Sequence, residues 1–334
     1  MNNSFLYFLA ALVAFAVTAV LGWWLIPFLH KLKFGQTIRE IGPSWHKKKQ
    51  GTPTMGGIMF ILGIAAAVCS CIPVYYGCTK GEGGLMSAKV FAGLGMALGY
   101  GAIGFMDDYI GITKKRNLGL TEKQKLVLQF LVAGAYLLAI YLAGGGTTTI
   151  LPFIGQIDLG LAYYPLAAIL IVGLTNAVNF TDGVDGLNTS VSLVVFIALA
   201  MCAGILSMTG LSVMGVAAAA ACIGFLIWNF HPAKVFMGDT GSLFLGGMVG
   251  ALAFGIDMPV LLLPLGLIYW AEILSVVLQV SYFKATHGKR LFKMSPIHHH
   301  FEMCGWSEVK ICGVFCLVTL LGGATAVACV LFGV

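Results

Sequence analysis

The sequence predicts an all-α fold, a polytopic integral membrane protein of about ten transmembrane helices in a single domain spanning residues 1–334. Three observations predict it. Only 10% of residues are charged and 59% are hydrophobic, where a soluble domain is about a quarter charged. Runs such as 5–26 and 309–334 are long enough to cross a hydrocarbon core, which takes about 20 apolar residues. Finally, the basic residues fall almost entirely into alternate loops.

Ten hydrophobic segments follow from the apolar runs, at 5–28, 55–76, 88–106, 124–143, 162–179, 190–208, 211–229, 242–256, 260–283 and 308–333. Only Asn2, Asn3 and Ser4 stand between the first methionine and the first run, so it lacks the basic stretch of a cleavable signal peptide and reads as a retained helix. Only Met208, Thr209 and Gly210 divide the sixth segment from the seventh. Between the fourth and fifth, residues 144–161 alternate in the manner of a short hairpin. Gly93, Gly95, Gly99, Gly101 and Gly104 on the third segment, and Gly246, Gly247 and Gly250 on the eighth, suit close helix packing in lipid.

With ten spans, one set of loops holds Lys31, Lys33, Arg39, Lys47, Lys48, Lys49, Lys114, Lys115, Arg116, Lys123, Lys125, Lys234, Lys284, Lys289, Arg290, Lys293 and Lys310, which is 17 of the 19 basic residues. Lys80 and Lys89 fall on the other side. The excess of cations on cytoplasmic loops then places both termini outside the cell. The nine cysteines include no CxxC pair and lie mostly in apolar runs, so they read as small hydrophobes rather than as disulfides or a zinc site. The basic loops flank membrane spans, and no nucleic-acid partner is expected.

The polar chemistry gathers on the basic face. Asp107 and Asp108 close the third segment, Asp182 and Asp185 follow the fifth, and Asp239 follows the seventh. Adjacent carboxylates at a helix C-terminus oppose its dipole and each other, and a cation relieves both. Mg²⁺ suits such hard oxygen ligands and bridges carboxylates to phosphates; ion pairs with Lys114–Arg116 are the simpler alternative. Gly183 and Gly186 make a loop of the Asp182–Asp185 stretch, which fits either ligand recognition or a plain helix cap. Taken by itself, the "MGDTGS" stretch reads first as an N-cap of the eighth span by Asp239 or Thr240. The loops "WHKKKQGTPTMGG" and "KKRNLGLTEKQK" set cations beside these acids, as phosphoryl chemistry requires. His298, His299 and His300 fan out on a helix, so three cannot share one zinc ion; one or two turn into the cleft and the third packs. Glu272 and Gln279 are the polar exceptions within a span.

Together "GTPTMGG" (51–57), "DDY" (107–109), "NFTDGVDGL" (179–187), "NFHPAKVFMGDTGSL" (229–243) and "PIHHHFE" (296–302) resemble the polyprenyl-phosphate N-acetylhexosamine-1-phosphate transferases, and within them the phospho-N-acetylmuramoyl-pentapeptide transferases. The resemblance covers almost the whole chain. It implies a Mg²⁺-dependent reaction of UDP-N-acetylmuramoyl-pentapeptide with undecaprenyl phosphate that yields lipid I and UMP. It also implies a homodimer in the bilayer of the bacterial cytoplasmic membrane, with its cleft at the cytoplasmic face. Position by position, Asp239 resembles the principal metal carboxylate, with Asp107 and Asp108 beside it and Asp107 engaging the lipid phosphate. Asn179, Asp182, Asp185, Lys49 and Thr54 resemble nucleoside contacts, and Phe236 the ring on which uracil stacks. Lys123 resembles a phosphate-binding lysine, with Lys125 its neighbouring candidate. His298 resembles the histidine of the catalytic centre, His299 lies nearer the nucleotide, and Asn229 lines the cleft. One departure is Gly111, where a lysine is expected, so phosphate binding leans on Lys123 and on Lys114. A transferase acting on UDP-N-acetylglucosamine, a transporter and a zinc hydrolase are the competing readings. The last is disfavoured by the histidine spacing.

Overall fold

The computed structural model describes residues 3–32, 49, 51–79, 84–113 and 119–334. Lys114, Lys115 and Arg116, and most of the first basic loop, lie outside them. The helices are α1 (Asn3–Lys31), α2 (Ile58–Thr79), α3 (Gly84–Thr113), α4 (Glu122–Leu142), α5 (Tyr163–Phe180), α6 (Leu187–Ile205), α7 (Thr209–Asn229), α8 (Gly238–Gly255), α9 (Leu262–Leu265), α10 (Leu267–Ala285), α11 (Ile297–Met303) and α12 (Glu308–Gly333). Among the described residues, nine helices are long and apolar enough to cross a membrane. The protein is therefore a multi-pass membrane protein. Helix α8 has 18 residues, begins with the polar stretch Gly-Asp-Thr-Gly-Ser, and is buried from Thr240 to Gly255. It forms the centre of the bundle. Helices around it expose large apolar side chains, among them Phe8, Trp24, Leu131, Leu138 and Ile169, a surface suited to lipid rather than water.

Small residues decide how α3 meets α8. A Cβ added at Gly247 would lie 2.9 Å from the Ala97 Cα, and one added at Gly93 would lie 3.0 Å from the Ala251 Cβ. At the end of this seam, a Cβ on Gly104 would approach the Asp239 carbonyl oxygen to 2.0 Å. The two backbones touch because neither carries a side chain between them. That approach brings Asp107 and Asp108, one turn beyond Gly104, to the start of α8.

Helix α6 separates from α7 at residues 206–208, two residues ahead of the expected Met208–Gly210 division, so Thr209 and Gly210 fall within α7. The hairpin also forms, β1 (Thr148–Leu151) pairing antiparallel with β2 (Gly155–Asp158). It docks on Asp257, whose carbonyl accepts the Ile150 amide at 2.8 Å, while the Asp257 carboxylate pairs with buried Lys89 at 2.5 Å. Two expectations change. Helix α3 does not close at Asp107–Asp108 but runs to Thr113, whose hydroxyl donates to the Tyr109 carbonyl at 2.8 Å. The ninth apolar segment is broken. Pro259–Leu261 forms a 3₁₀ turn, and α9 is separated from α10 by Gly266. The Trp270 indole donates to the Leu262 carbonyl at 2.8 Å across that break.

Candidate active site

Asp107, Asp108 and Asp239 meet at the junction of α3, α4 and α8. The Asp108 carboxylate sits over the first turn of α8. It accepts the Asp239 amide at 3.2 Å, the Thr240 amide at 2.9 Å and the Thr240 hydroxyl at 2.6 Å. Neither Asp239 nor Thr240 caps its own helix; an acid from another helix satisfies the free amides and faces the positive end of the dipole. Asp107 folds the entry to α4 onto itself, its Oδ1 accepting the Leu120 amide at 2.7 Å. A Thr121–Gln124 capping box starts α4, and Lys125 follows on its first turn. The Lys125 ammonium donates to Asp239 Oδ2 and lies 3.5 Å from Asp107 Oδ2. On the other side, Asn179 at the end of α5 donates to Asp239 Oδ1 and to Ser242 Oγ, both at 2.8 Å.

Residues 181–186 form the turn between α5 and α6, and Gly186 adopts a positive φ of 72° to begin α6. Asp182 and Asp185, three residues apart, divide between two surroundings. Burial, and then the charges of Asp239, Asp108 and Asp185, hold the Asp182 carboxyl well above the usual carboxylate range. Asp185 is also buried, which alone would raise its carboxyl. Lys49, the Ala233 amide and His231 outweigh burial and hold it below the usual value. Lys49 donates to Asp185 Oδ1 and Glu308 Oε2, each at 2.7 Å. Burial would lower its ammonium, yet the two carboxylates leave it above its ordinary value. Glu308 also accepts the Asp185 amide at 3.0 Å, and His231 Nδ1 lies 3.0 Å from Asp185 Oδ2. Asp185, His231 and Glu308 offer ligand atoms all within 4.8 Å of one another, a group able to hold a metal ion; in the structure it is balanced by Lys49.

The histidines occupy α11 and fan out as helical geometry requires. His298 is 1% exposed and faces Glu272 of α10, which is 0% exposed. His299 Nδ1 is 2.6 Å from Glu302 Oε2. His300 Nδ1 accepts the Lys293 amide at 3.2 Å and its ring packs edge-on against Phe292. The segment leading into α11 is tied to α10 by Gln279, whose Oε1 accepts the Leu291 and Phe292 amides at 3.0 and 2.8 Å while Nε2 donates to the Phe292 carbonyl at 3.1 Å.

The glycosyl transferase family 4 model matches residues 90–256, and a phospho-N-acetylmuramoyl-pentapeptide-transferase signature matches residues 49–61. A Clostridium perfringens protein named phospho-N-acetylmuramoyl-pentapeptide-transferase is 46% identical over 94% of this chain and 93% of its own length. The chain belongs to this transferase family. Relatives of the same name from Bacillus pumilus, at 45% identity over 93% of both chains, and Heliobacterium modesticaldum, at 47% over 93% of this chain and 94% of the relative, give the same result.

In this phospho-N-acetylmuramoyl-pentapeptide-transferase family member, the signature segment packs on the stretch before α8. Phe236 donates its amide to the Pro53 carbonyl at 2.8 Å, Gly56 returns one to Phe236 at 2.8 Å, and Gly57 donates to Met237 at 3.0 Å. A Cβ on Gly57 would stand 2.3 Å from the Gly241 Cα, so the paired glycines are what let this segment reach α8. Thr54 and Asp108 both crowd Gly238, where an added Cβ would lie 2.6 Å from Thr54 Oγ1 and 2.5 Å from Asp108 Oδ2. Of the two lysine candidates, Lys125 joins the acids and Lys123 is exposed. Asn229 does not present its amide to the cleft: it is buried, accepts from Thr189 at 2.8 Å and donates to the Val235 carbonyl at 3.0 Å, holding the turn that carries His231 and Phe236. Sequence reasoning missed Glu308 and His231. His231 lies within a motif already singled out, whereas Glu308 looks like an ordinary first-turn acid behind the Ser307 cap.

Proposed function

We propose that the protein transfers phospho-N-acetylmuramoyl-pentapeptide from UDP-N-acetylmuramoyl-pentapeptide to undecaprenyl phosphate, giving lipid I and UMP for peptidoglycan synthesis. Membership of the family supports the reaction. The observation that carries the site assignment is the meeting of acids from two helices more than a hundred residues apart in sequence: Asp107 and Asp239 share the Lys125 ammonium, and Asp108 accepts the Asp239 amide.

One substrate is soluble and the other is a phosphate on a long hydrocarbon, so they can meet only at a membrane interface. The excess of cations in the loops beside these acids supports the cytoplasmic face of the bacterial cytoplasmic membrane as that interface. Ten spans with both termini outside fit this orientation, α8 being the tenth. A homodimer is part of the same reading.

The donor set fits Mg²⁺. Asp107 and Asp239 both turn a carboxylate oxygen to one ammonium, so the spot already holds a cation among hard oxygens. The Asp185–His231–Glu308 group includes an imidazole and has Lys49 as its counter-charge, and so suits Mg²⁺ less. Asp239, with Asp107 and Asp108, would hold the ion, which when bound supplies charge neutralisation of the pyrophosphate and of the leaving UMP. Asn179 orients Asp239, and Asp108 fixes the start of α8 on which Asp239 stands. Lys125, and Lys123 nearby, serve the phosphates. Lys49, Thr54, Asp182, Asp185 and His299 serve the nucleoside side, with Phe236 offering a flat face to uracil. His298 belongs to the reacting centre. An oxygen of the lipid phosphate, already ionised at neutral pH, attacks the β-phosphorus directly. The bond from that phosphorus to the bridging oxygen breaks, and UMP departs with the electron pair.

Purified protein with undecaprenyl phosphate should release UMP from UDP-N-acetylmuramoyl-pentapeptide, with Mg²⁺ and not after chelation. Consumption of UDP-N-acetylglucosamine alone would reassign the substrate. A labelled sugar-phosphate trapped on Asp107 or Asp108 without lipid would replace direct attack by a covalent intermediate.

A further inference from the structure

Glu272 is a carboxylate in the middle of an apolar helix and has no part in the reaction above. It is 0% exposed, on a face of α10 shared with buried Ile268, Tyr269 and Ser275. A carboxylate at such a place is costly unless a partner compensates it. Its partner is His298. The ring Nδ1 lies 3.0 Å from Glu272 Oε2, and the His298 backbone amide donates to the same oxygen at 3.4 Å. Neither ring nitrogen, nor Glu272 Oε1, has an aligned hydrogen bond in this buried setting. Native interiors seldom leave such atoms unsatisfied without a functional reason.

The far side of the ring supplies that reason. His298 Nε2 abuts Gly183, where an added Cβ would lie 2.1 Å from it. Gly183 is flanked by Asp182 and sits in the same turn as Asp185. Nδ1 therefore faces an acid in the bundle interior, while Nε2 faces the backbone of the turn that borders the site. The other charged or titratable neighbours are His299, whose ring centroid is 4.1 Å away, and Glu302, which His299 engages.

We propose that Glu272 is a positioning residue for His298: it keeps the proton on Nδ1 and thereby presents Nε2 at Gly183, toward the reaction. An imidazole has two distinguishable nitrogens, and the hydrogen bond at one determines what the other can do. A carboxylate 3.0 Å from Nδ1 favours the tautomer with the proton on that nitrogen, by its charge and proximity rather than by an aligned hydrogen bond. A carboxamide can donate to Nδ1 instead and so permit the other. The inference rests on the proposed place of His298 at the reacting centre, but it is testable without turnover.

The experiment uses full-length protein in lipid nanodiscs, labelled with ¹⁵N-histidine, with the His298 resonances assigned by their loss in His298→Ala. In the native chain Nδ1 should carry the proton; in Glu272→Gln the Nδ1 and Nε2 signals should exchange character or mix, and Glu272→Asp should restore the native pattern in part. UMP release should follow: kcat about 10²–10³-fold lower for Glu272→Gln, with KM for the sugar nucleotide within about threefold, and partial recovery in Glu272→Asp, by the logic of an acid that orients a histidine. Unchanged nitrogen signals in Glu272→Gln, or native kcat, would overturn the proposal. If Glu272→Gln does not fold, Glu272→Leu decides, since a chain with no acid at this position that leaves both the signals and kcat at native values excludes a positioning role. Normal turnover by His298→Ala would defeat the reading of His298 at the reacting centre instead, and the nitrogen signals would still decide the pairing.

Discussion

Asp108 caps the helix on which Asp239 stands. Its Oδ1 accepts the Asp239 amide at 3.2 Å, and its Oδ2 takes both the amide and the hydroxyl of Thr240. The two acids thus hold different positions in one arrangement, and their variants should differ. Asp239→Asn keeps every backbone hydrogen bond and should fold normally while UMP release falls at least about 10³-fold, in line with loss of charge stabilisation. Near-native release would remove Asp239 from the metal site. Asp108→Ala should lose turnover and also about 0.5–2 kcal/mol of stability, the cost of a lost cap, read as a lower unfolding temperature.

The Lys49–Asp185 pair gives a pH prediction. The Asp185 carboxyl is lower in the folded chain than its ordinary 3.8, so its contribution is present above that value and is lost as pH falls through the depressed one. The Lys49 ammonium is higher than its ordinary 10.5, so its contribution is present below that value and is lost as pH rises through the raised one. The stability difference between the native chain and Lys49→Met, about 1.5–3 kcal/mol for a charged hydrogen bond, should therefore be full from pH 4 to 10 and shrink on both sides. Asp182 has the opposite sign. Its raised carboxyl favours the folded state at low pH, and that contribution declines as pH climbs above 3.8. Thermal unfolding across pH checks both, with Asp182→Asn removing the second.

The three histidines should separate in activity. His298 is buried between Glu272 and Gly183, whereas His300 engages the Lys293 amide, the Cys304 thiol and the Phe292 and Phe301 rings, away from the acids. His298→Ala should lose about 10²-fold or more in kcat, the scale of acid–base and hydrogen-bonding groups, and His300→Ala less than about fivefold. Equal losses would mean that the inward-facing histidine is wrongly chosen.

Gly104→Ala tests the seam between α3 and α8. Its methyl would meet the Asp239 carbonyl oxygen at 2.0 Å, and backbone cannot move aside as a side chain does. Overpacking of this kind costs about 1–3 kcal/mol, and UMP release should fall with it. Gly95→Ala on the same helix, where an added Cβ meets nothing within 4 Å, is the control and should behave as native.

The apolar helices were legible because hydropathy is a local property: the division between α6 and α7 was met to within two residues, and the 148–158 hairpin falls inside the stretch that alternates. The break at Gly266 was overlooked because hydropathy treats Leu262, Pro264 and Leu267 alike, although Pro264 and Gly266 are themselves helix-breaking residues. For the site, the acids were visible as charges out of place in apolar surroundings. Their pairings were not. Lys49 reaches Glu308 across 259 residues and Asp108 reaches Thr240 across 132, distances over which no periodicity carries information. Glu272 was conspicuous as a buried acid, but only the packing of α10 against α11 shows which histidine it serves.

The Gln279 tether has a consequence for working conditions. Lys49 and Lys125 hold their partners by charge, so salt and pH act on them to the extent that water reaches them. The amide of Gln279 carries no charge and does not titrate, yet it seats the segment that delivers α11. Buffers that loosen the ionic contacts should leave the histidine helix in register, so inhibition by high salt should be readily reversed on dilution.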